Sequence, residues 1–275
     1  MSIGSPPRNH RRPEQAGPGQ ARASAGRRRP PCPEDRRGLR RIYAEIADRY
    51  ELVNHLLTFG LDLRWRRQAA SWAARAGGRN WLDMCTGTGE MVENLVRLAP
   101  AGVHLVAADV SPAMLARVRR KRGLARVSLA LAEGARLPFR DGAFDLVTIS
   151  FATRNLNSGP GRLLAALEEF QRVLRPGGRL VNLETSQPRS RVLRALLHAY
   201  VGVSVRPLGR LFSGSREAYR YLAHTIPRFH DPERLADLLR SAGAERVERH
   251  LLFGGVAAVH IAVKGSPAPG EEEGR

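Results

Sequence analysis

The chain has 275 residues, of which 43% are hydrophobic, and this is enough for one substantial domain with appendages. No run approaches the roughly 18 apolar residues that a membrane-spanning helix needs, and the arginine-rich start lacks the apolar segment of a secretory signal, so we expect a cytoplasmic protein. The two cysteines, Cys32 and Cys85, provide neither a disulfide framework nor the spacing of a zinc site, and we expect no metal centre.

The net charge of +19 comes almost entirely from arginine, because lysine occurs only at Lys121 and Lys264. Residues 1–38 carry nine arginines against three acidic residues, and the rest of the excess lies further along the chain. Nucleic acid and an anionic membrane surface both attract such charge. Since no aromatic residues that could stack on bases interleave with the first arginines, we favour peripheral contact with a membrane, or no specific partner, over nucleic acid.

Two predicted regions precede the first strand, and a third lies after the last one. Residues 1–38 are rich in Arg, Pro and Gly, with few large apolar side chains, and are predicted to be disordered. Residues 39–76 are predicted to form a helical cap, because apolar residues recur at helical intervals and lead into a helix from Trp65 to Trp72. A Pro, Gly and Glu-rich segment, residues 265–275, is predicted to be a flexible end.

A tight glycine turn follows the cap. Trp81 to Cys85 is typical of a buried strand, Gly87 and Gly89 allow a sharp turn close to a ligand, and a helical pattern comes next. The dinucleotide fingerprint would need a third glycine where this chain has Val92, so a pyrophosphate site is disfavoured. The acidic residue before the turn, Asp83, instead suits a cationic ligand such as the amino and sulfonium groups of S-adenosylmethionine.

Strands and helices then alternate up to Leu183, which predicts an α/β fold with a mostly parallel sheet. The strand Val103 to Ala108 is followed by Asp109, which could hold the two hydroxyls of a ribose or cap the next helix. Further strands are predicted at Val127 to Leu131, which leads to Glu133 and Gly134, and at Phe144 to Phe151. The ligand is expected at the carboxyl ends of these strands.

The later elements include an apolar insertion. A helix from Arg162 to Leu174 is predicted to stop at Pro176-Gly177-Gly178, which start the strand Arg179 to Leu183. Residues 189–224 are predicted to form a helical insertion over the site, serving as an apolar lid, as a membrane-facing surface, or as an ordinary core helix. The chain is expected to close with two helices and two strands: Glu217 to His224, Pro232 to Ala242, Arg246 to Phe253, and Ala257 to Val263.

Several of these motifs resemble the signatures of class I S-adenosylmethionine-dependent methyltransferases: Asp83-Met84-Cys85-Thr86-Gly87-Thr88-Gly89, Asp109, Phe144-Asp145, and Arg175-Pro176-Gly177-Gly178-Arg179-Leu180. Others resemble the UbiE and MenG type of ubiquinone/menaquinone biosynthesis C-methyltransferases: Tyr50-Glu51-Leu52-Val53-Asn54, Trp65-Arg66, Ser150-Phe151-Ala152-Thr153-Arg154-Asn155, and Leu183-Glu184-Thr185-Ser186-Gln187-Pro188. The resemblance covers residues 42–264. It implies a Rossmann-like fold, with a mostly parallel seven-stranded sheet, helices on both faces, an N-terminal helical cap and one methyltransferase domain over residues 39–264.

The resemblance also implies which residues bind S-adenosylmethionine. It places Thr88 in the turn, Asp109 on the ribose, Glu133 with Gly134 at the adenine edge, and Ser150 after the fourth strand. Thr86 departs from a frequent glycine, and Glu133 departs from the usual Asp or Asn.

The implied reaction is methylation of a ring carbon of a polyprenylated quinol, with demethylmenaquinol as the favoured acceptor. Arg154 would stabilise a developing phenolate and Asn155 would orient the ring, since the pKa of arginine exceeds about 12 and makes it a poor base. Tyr50, which could equally be a core aromatic residue, is a candidate for the proton acceptor, as are His224 and His260. The alternatives are another small molecule or RNA as acceptor, or a non-catalytic partner in quinone synthesis. Homo-oligomer formation stays open.

Overall fold

The computed structural model describes residue 1 and residues 50–157, 159–213 and 222–266. Its sheet contains the strands β1 (Asn80–Met84), β2 (His104–Asp109), β3 (Ser128–Leu131), β4 (Phe144–Ser150), β5 (Leu174–Thr185), β6 (Ala244–Leu252) and β7 (Ala257–Lys264). Its helices are α1 (Tyr50–Thr58), α2 (Leu61–Ala74), α3 (Glu90–Leu98), α4 (Pro112–Arg120), α5 (Thr153–Leu156), α6 (Arg162–Val173), α7 (Arg191–Ser213) and α8 (Pro232–Ser241).

The sheet has the order β3-β2-β1-β4-β5-β7-β6, and its pairs are parallel from β3 to β5. Strand β7 runs antiparallel to both of its neighbours. The predicted mostly parallel, seven-stranded sheet is therefore confirmed. Strand order reverses between β1 and β4, and the crevice at the carboxyl ends of these two strands is where this architecture binds ligands.

Two apolar clusters cover the two faces of the sheet. One contains residues of α6 and α8, including Leu167, Phe170 and Leu235, and the other contains residues of α2, α3 and α4, including Trp65 and Leu95. Neighbouring β1 residues divide between them, because successive side chains of a strand point to opposite faces. Because both faces are covered, β1 and β4 are buried along almost their whole length.

The described part of the predicted cap consists of two helices, and the predicted helix Trp65 to Trp72 lies within the second of them. Phe59 and Gly60 separate α1 from α2, and both have positive φ angles, of 52° and 72°. Residues 39–49 lie outside the described residues, as does the tail 1–38 apart from residue 1, and so does most of the end 265–275. The predicted cap therefore has described structure only from Tyr50 onward.

The predicted start of the fifth strand was wrong. Helix α6 ends at Val173 and β5 begins at Leu174, before Pro176-Gly177-Gly178. Leu174 pairs with Phe144, and the register then shifts so that Arg179 pairs with Leu146. Because Gly177 has a φ of +72°, the chain can bulge there without leaving the sheet.

The insertion contains the long helix α7, which packs against α1. Val53 of α1 meets Val201 and Val205 of α7 in a small apolar cluster of its own. The opposite stripe of α7 is open, since Val192 and Val203 are 71% and 73% exposed. The predicted helix Glu217 to His224 begins outside the described residues. Among the helices in the described ranges, none is long and apolar enough to cross a membrane.

Candidate active site

The turn after β1 brings backbone N–H groups to the edge of the sheet. Cys85, Gly87 and Gly89 all have positive φ angles, and helix α3 starts directly after the turn. A Cβ atom on Gly89 would lie 3.1 Å from a methyl group of Val118, so close packing against α4 also favours glycine there. Three N–H groups of the turn, those of Thr86, Gly87 and Gly89, already donate within the protein, so a ligand above β1 would meet the N-terminus of helix α3.

Asp109 links this turn to the end of β2. Its carboxylate accepts hydrogen bonds from the backbone N–H groups of Gly87, at 2.9 Å, and of Ser111, at 2.8 Å. Ser111, not Asp109, caps α4, because the Ser111 side chain accepts from the N–H of Met114. Burial raises the pKa of Asp109 above its usual value, although these hydrogen bonds oppose the shift. Each carboxylate oxygen keeps a lone pair for a ligand hydroxyl.

A cavity of about 170 Å³ opens at this edge, and we call it the first cavity. It brings together the predicted residues Gly87, Thr88, Asp109, Glu133, Gly134 and Ser150, and adds Asn155. These residues come from the turn after β1, from the ends of β2 and β4, and from the loop after β3. The carboxyl ends of parallel strands meet at one edge, so residues far apart in sequence line one pocket.

Two predicted cofactor residues, Asp83 and Gly89, are not among the described residues that line the first cavity. Asp83 lies behind the turn, where it accepts a hydrogen bond of 2.5 Å from the Thr148 hydroxyl of β4. Burial raises the pKa of Asp83 to about 6. Burial likewise raises the pKa of the Cys85 thiol, which agrees with the prediction of a packing residue and not a nucleophile.

A second cavity, of about 300 Å³, adjoins the first. Its lining is largely apolar and comes from α1, α2, α7 and the turn around residues 253–256. Arg66 and Phe151 line both cavities, so the two spaces meet at this pair. Phe59, Phe151 and Phe253 all line the second cavity with positive φ angles, which are unfavourable for bulky residues and cluster at functional sites.

Arg154 lines the second cavity and is held by β5. Its guanidinium donates to Glu184 Oε1 at 2.9 Å and to the Thr185 hydroxyl at 3.0 Å, and its backbone N–H donates to Glu184 Oε2. Its neighbour Thr153 is hydrogen bonded to Asn182, two residues before Glu184 on the same face of β5. The turn 153–155 is therefore clamped, with Arg154 at the second cavity and Asn155 at the first.

The buried charges around Arg66 were not predicted from the sequence. Its two terminal nitrogens contact Asp62 Oδ2 at 2.5 Å and Glu90 Oε2 at 3.1 Å. His55 bridges the same two carboxylates. The guanidinium carbon also lies 4.8 Å from the centre of the Phe151 ring, within cation–π range. The i, i+4 spacing of Asp62 and Arg66 on α2 was a signal for their pairing, whereas no sequence pattern indicated the contact with Glu90 of α3.

The proton-acceptor candidates have different surroundings. Tyr50 begins α1, but its side chain lies outside the described residues. His260 is buried in β7, where its Nε2 donates to the carbonyl of Pro232 at 2.8 Å, and burial lowers its pKa to about 4. Neither His260 nor His224 is among the described residues that line the two cavities.

A family model described as the ubiE/COQ5 methyltransferase family matches residues 33–264. The chain belongs to this family. The demethylmenaquinone methyltransferase of Thermus thermophilus is 44% identical over 223 residues, which cover 80% of this chain and 98% of the relative. The demethylmenaquinone methyltransferase of Deinococcus radiodurans is 40% identical, over 78% of this chain and 87% of the relative. The ubiquinone/menaquinone biosynthesis C-methyltransferase UbiE of Geobacter sp. strain M21 is 34% identical, with 82% and 96% covered.

Solved structures support the fold of the ubiE/COQ5 chain. An O-methyltransferase family protein from Burkholderia thailandensis aligns with a TM-score of 0.57 at 18% identity, covering 80% of this chain and 60% of that one. The [4+2]-cyclase SpnF aligns with a TM-score of 0.53 at 20% identity, covering 72% and 81%. At this identity the likeness shows the Rossmann-like fold alone, because one fold hosts several reactions.

Membership of the ubiE/COQ5 family, with this fold, makes the protein a methyltransferase and implies use of S-adenosylmethionine. The first cavity fits that cofactor. It has a carboxylate at the end of β2 that could accept from ribose hydroxyls, and a helix N-terminus at the glycine turn that could hold a ligand carboxylate.

Proposed function

We propose that this protein transfers a methyl group from S-adenosylmethionine to a ring carbon of a polyprenylated quinol, with demethylmenaquinol as acceptor. The observation that carries the proposal is the apolar second cavity, which adjoins the first cavity and has two buried arginines in its lining. A ring with an isoprenoid tail matches that lining. The two relatives at 44% and 40% identity are named for demethylmenaquinone, which favours a naphthoquinol over a benzoquinol.

In this proposal the first cavity binds the cofactor through the predicted residues. Asp109 holds the ribose hydroxyls, Glu133 and Gly134 contact the adenine edge, and Thr88 with the N-terminus of α3 holds the methionine carboxylate. Ser150 completes the lining after β4. When bound, S-adenosylmethionine supplies an electrophilic methyl group and a leaving group that becomes neutral, so alignment with the acceptor is the main requirement.

Arg154 stabilises negative charge on the ring hydroxyl beside the carbon that is methylated. Glu184 fixes the orientation of the guanidinium and balances its charge at rest. Asn155 reaches the first cavity from the same short helix and orients the ring at the junction. Asp62 is unsuited to accept the proton: burial raises its pKa, but the Thr58 hydrogen bond and the Arg66 charge outweigh burial and leave the pKa below its usual value. Tyr50 remains the candidate for the proton acceptor.

The experiment is anaerobic methylation of short-chain demethylmenaquinol by the full-length protein with S-adenosylmethionine, followed by mass spectrometry of the product. We expect transfer of one methyl group to carbon, and faster turnover than with a benzoquinol of the same tail length. Methylation of RNA, or of small phenols without a tail at equal rates, would contradict the proposal. An absence of turnover together with tight S-adenosylmethionine binding would favour another acceptor, and an absence of both would favour a non-catalytic partner.

The membrane contact is a further part of the proposal. The mouth of the second cavity is bordered by exposed apolar residues, among them Phe59, Leu196 and Phe253. Val192 and Val203 extend this surface along the exposed stripe of α7, and Arg191 lies beside it. A tail leaving the cavity here would meet an apolar surface with basic residues nearby, which suits the face of an anionic bilayer.

A further inference from the structure

Arg66 has a donor for which no described residue provides an acceptor. The residue is only 4% exposed, and its two terminal nitrogens are engaged by Asp62 and Glu90. Its Nε–H group has no hydrogen-bond acceptor among the residues that the structure describes. A buried N–H group without an acceptor is costly and rare, so it points to an oxygen atom of a ligand.

The position of Arg66 limits what that ligand can be. The side chain lines both cavities at their junction, and the Phe151 ring stacks beneath its guanidinium. Two carboxylates already surround this one positive charge, so a third carboxylate would be repelled. The N-terminus of α3 offers the methionine carboxylate a separate site. A neutral oxygen, such as a ring hydroxyl in the second cavity, suits the spare donor better.

We propose that Arg66 Nε–H holds the second hydroxyl of the quinol, the one on the far side of the ring from the hydroxyl served by Arg154. This inference rests on the proposed function and adds to it a selectivity for the acceptor. Two arginines then recognise the two oxygens of a 1,4-dihydroxy ring, one developing charge and one staying neutral. The site selects a dihydroxy arene over a monohydroxy arene with the same tail.

The test compares two acceptors that differ in one oxygen. The first is 2-prenyl-1,4-naphthalenediol, and the second is 3-prenyl-1-naphthol, which keeps the hydroxyl beside the carbon to be methylated and lacks the other. Both are assayed anaerobically with the wild type, with Arg66→Lys and with Arg67→Lys. Arg66→Lys keeps a cation between Asp62 and Glu90 but removes the Nε–H group. Arg67 is the exposed neighbour on α2 and is the matched control.

We expect Arg66→Lys to lower kcat/KM for the diol about tenfold or more, and to change that of the monohydroxy acceptor less than about twofold. The wild type and Arg67→Lys should prefer the diol. Calorimetric S-adenosylmethionine affinity and the melting temperature of Arg66→Lys should stay close to the wild type.

Two results would overturn the inference while leaving the proposed function intact. Equal losses with both acceptors would assign Arg66 a structural role, and weaker cofactor binding with unchanged acceptor selectivity would place the spare donor on S-adenosylmethionine. If the wild type methylates neither acceptor although it binds S-adenosylmethionine, the proposed function itself fails.

Discussion

The pKa values of two buried residues are shifted in opposite directions. Burial raises the pKa of Asp83 to about 6 from 3.8, so the folded protein holds this proton more tightly than the unfolded chain does. Burial lowers the pKa of His260 to about 4 from 6.5, so there the unfolded chain holds the proton more tightly. At about 1.4 kcal/mol per pH unit, each residue changes the free energy of unfolding by about 3 kcal/mol.

We therefore predict that substitution of either residue reveals how the other makes the free energy of unfolding depend on pH. The contribution of Asp83 to stability is lost as pH rises from 3.8 to about 6, and that of His260 is lost as pH falls from 6.5 to about 4. Asp83→Asn should make the protein lose more stability on acidification than the wild type, and His260→Gln should do the reverse. Urea unfolding at three pH values across this window measures both. Parallel pH profiles for all three proteins would show that the two groups do not titrate there.

Asp109 carries a prediction about the cofactor. Asp109→Asn places an amide N–H where a carboxylate oxygen now accepts from Gly87 or Ser111, so the turn and the ribose contact are both weakened. We expect the dissociation constant of S-adenosylmethionine to rise about tenfold or more, measured by calorimetry. Asp141→Asn is the control, because Asp141 lies on the surface with its side chain paired to Arg172. Equal affinity of both variants would remove Asp109 from the proposed site.

At the scale of elements, strand β5 holds the short helix α5 in place. Asn182 and Glu184 lie on one face of β5 and hydrogen bond to Thr153 and Arg154, respectively. The ion pair is buried on both sides, with Glu184 1% exposed. A buried pair gives little net stability, yet loss of one partner leaves an uncompensated charge in the interior.

A double-mutant cycle tests this clamp. Glu184→Gln and Arg154→Met should each lower the free energy of unfolding by about 3–5 kcal/mol, while the double variant should lose clearly less than the sum. Urea unfolding provides the values. The exposed pair Arg240 and Asp237 is the control, and it should couple by no more than about 1 kcal/mol. Additive losses at Arg154 and Glu184 would mean that the pair does not clamp α5.

At the scale of the whole molecule, the helical cap and α7 enclose an apolar space beside a polar one. The sheet edge supplies the polar cavity, and α1, α2 and α7 supply most of the apolar cavity. Val192, Leu196 and Val203 form an exposed stripe on one side of α7, where a soluble protein would gain nothing from apolar side chains. This arrangement supports the proposed delivery of a lipid-soluble acceptor from a bilayer.

We predict that the double variant Val192→Ser, Val203→Ser separates delivery from chemistry. Both residues are exposed, and neither lines the second cavity within the described residues. Turnover of a long-tailed quinol in anionic vesicles should fall several-fold, together with vesicle cosedimentation, while turnover of a short-tailed quinol in solution should stay unchanged. Leu131→Ser, at the exposed β3 edge, is the control. An equal loss in solution would argue against a membrane-facing stripe.

Local pattern was sufficient for the elements and for most of the first cavity. Apolar periodicity predicted the strands to within one or two residues, except for the start of β5. Asp109, Glu133 and Ser150 stand at or just after the ends of successive strands, and parallel strands end at a common edge, so the sequence is sufficient to predict that they converge.

Tertiary structure alone decided which polar groups face the cavities. The direction of the Asp83 side chain depends on packing behind the turn, and sequence spacing does not encode it. Arg66 of α2 meets Glu90 of α3, and Arg154 of α5 meets Glu184 of β5, through contacts between elements separated along the chain. The sequence by itself determined the alternation of strands and helices and the edge of the sheet at which Asp109 and Glu133 meet, because both follow from local periodicity. The approach of Glu90 to Arg66 and of Glu184 to Arg154 comes from packing, which brings together residues that no local pattern connects.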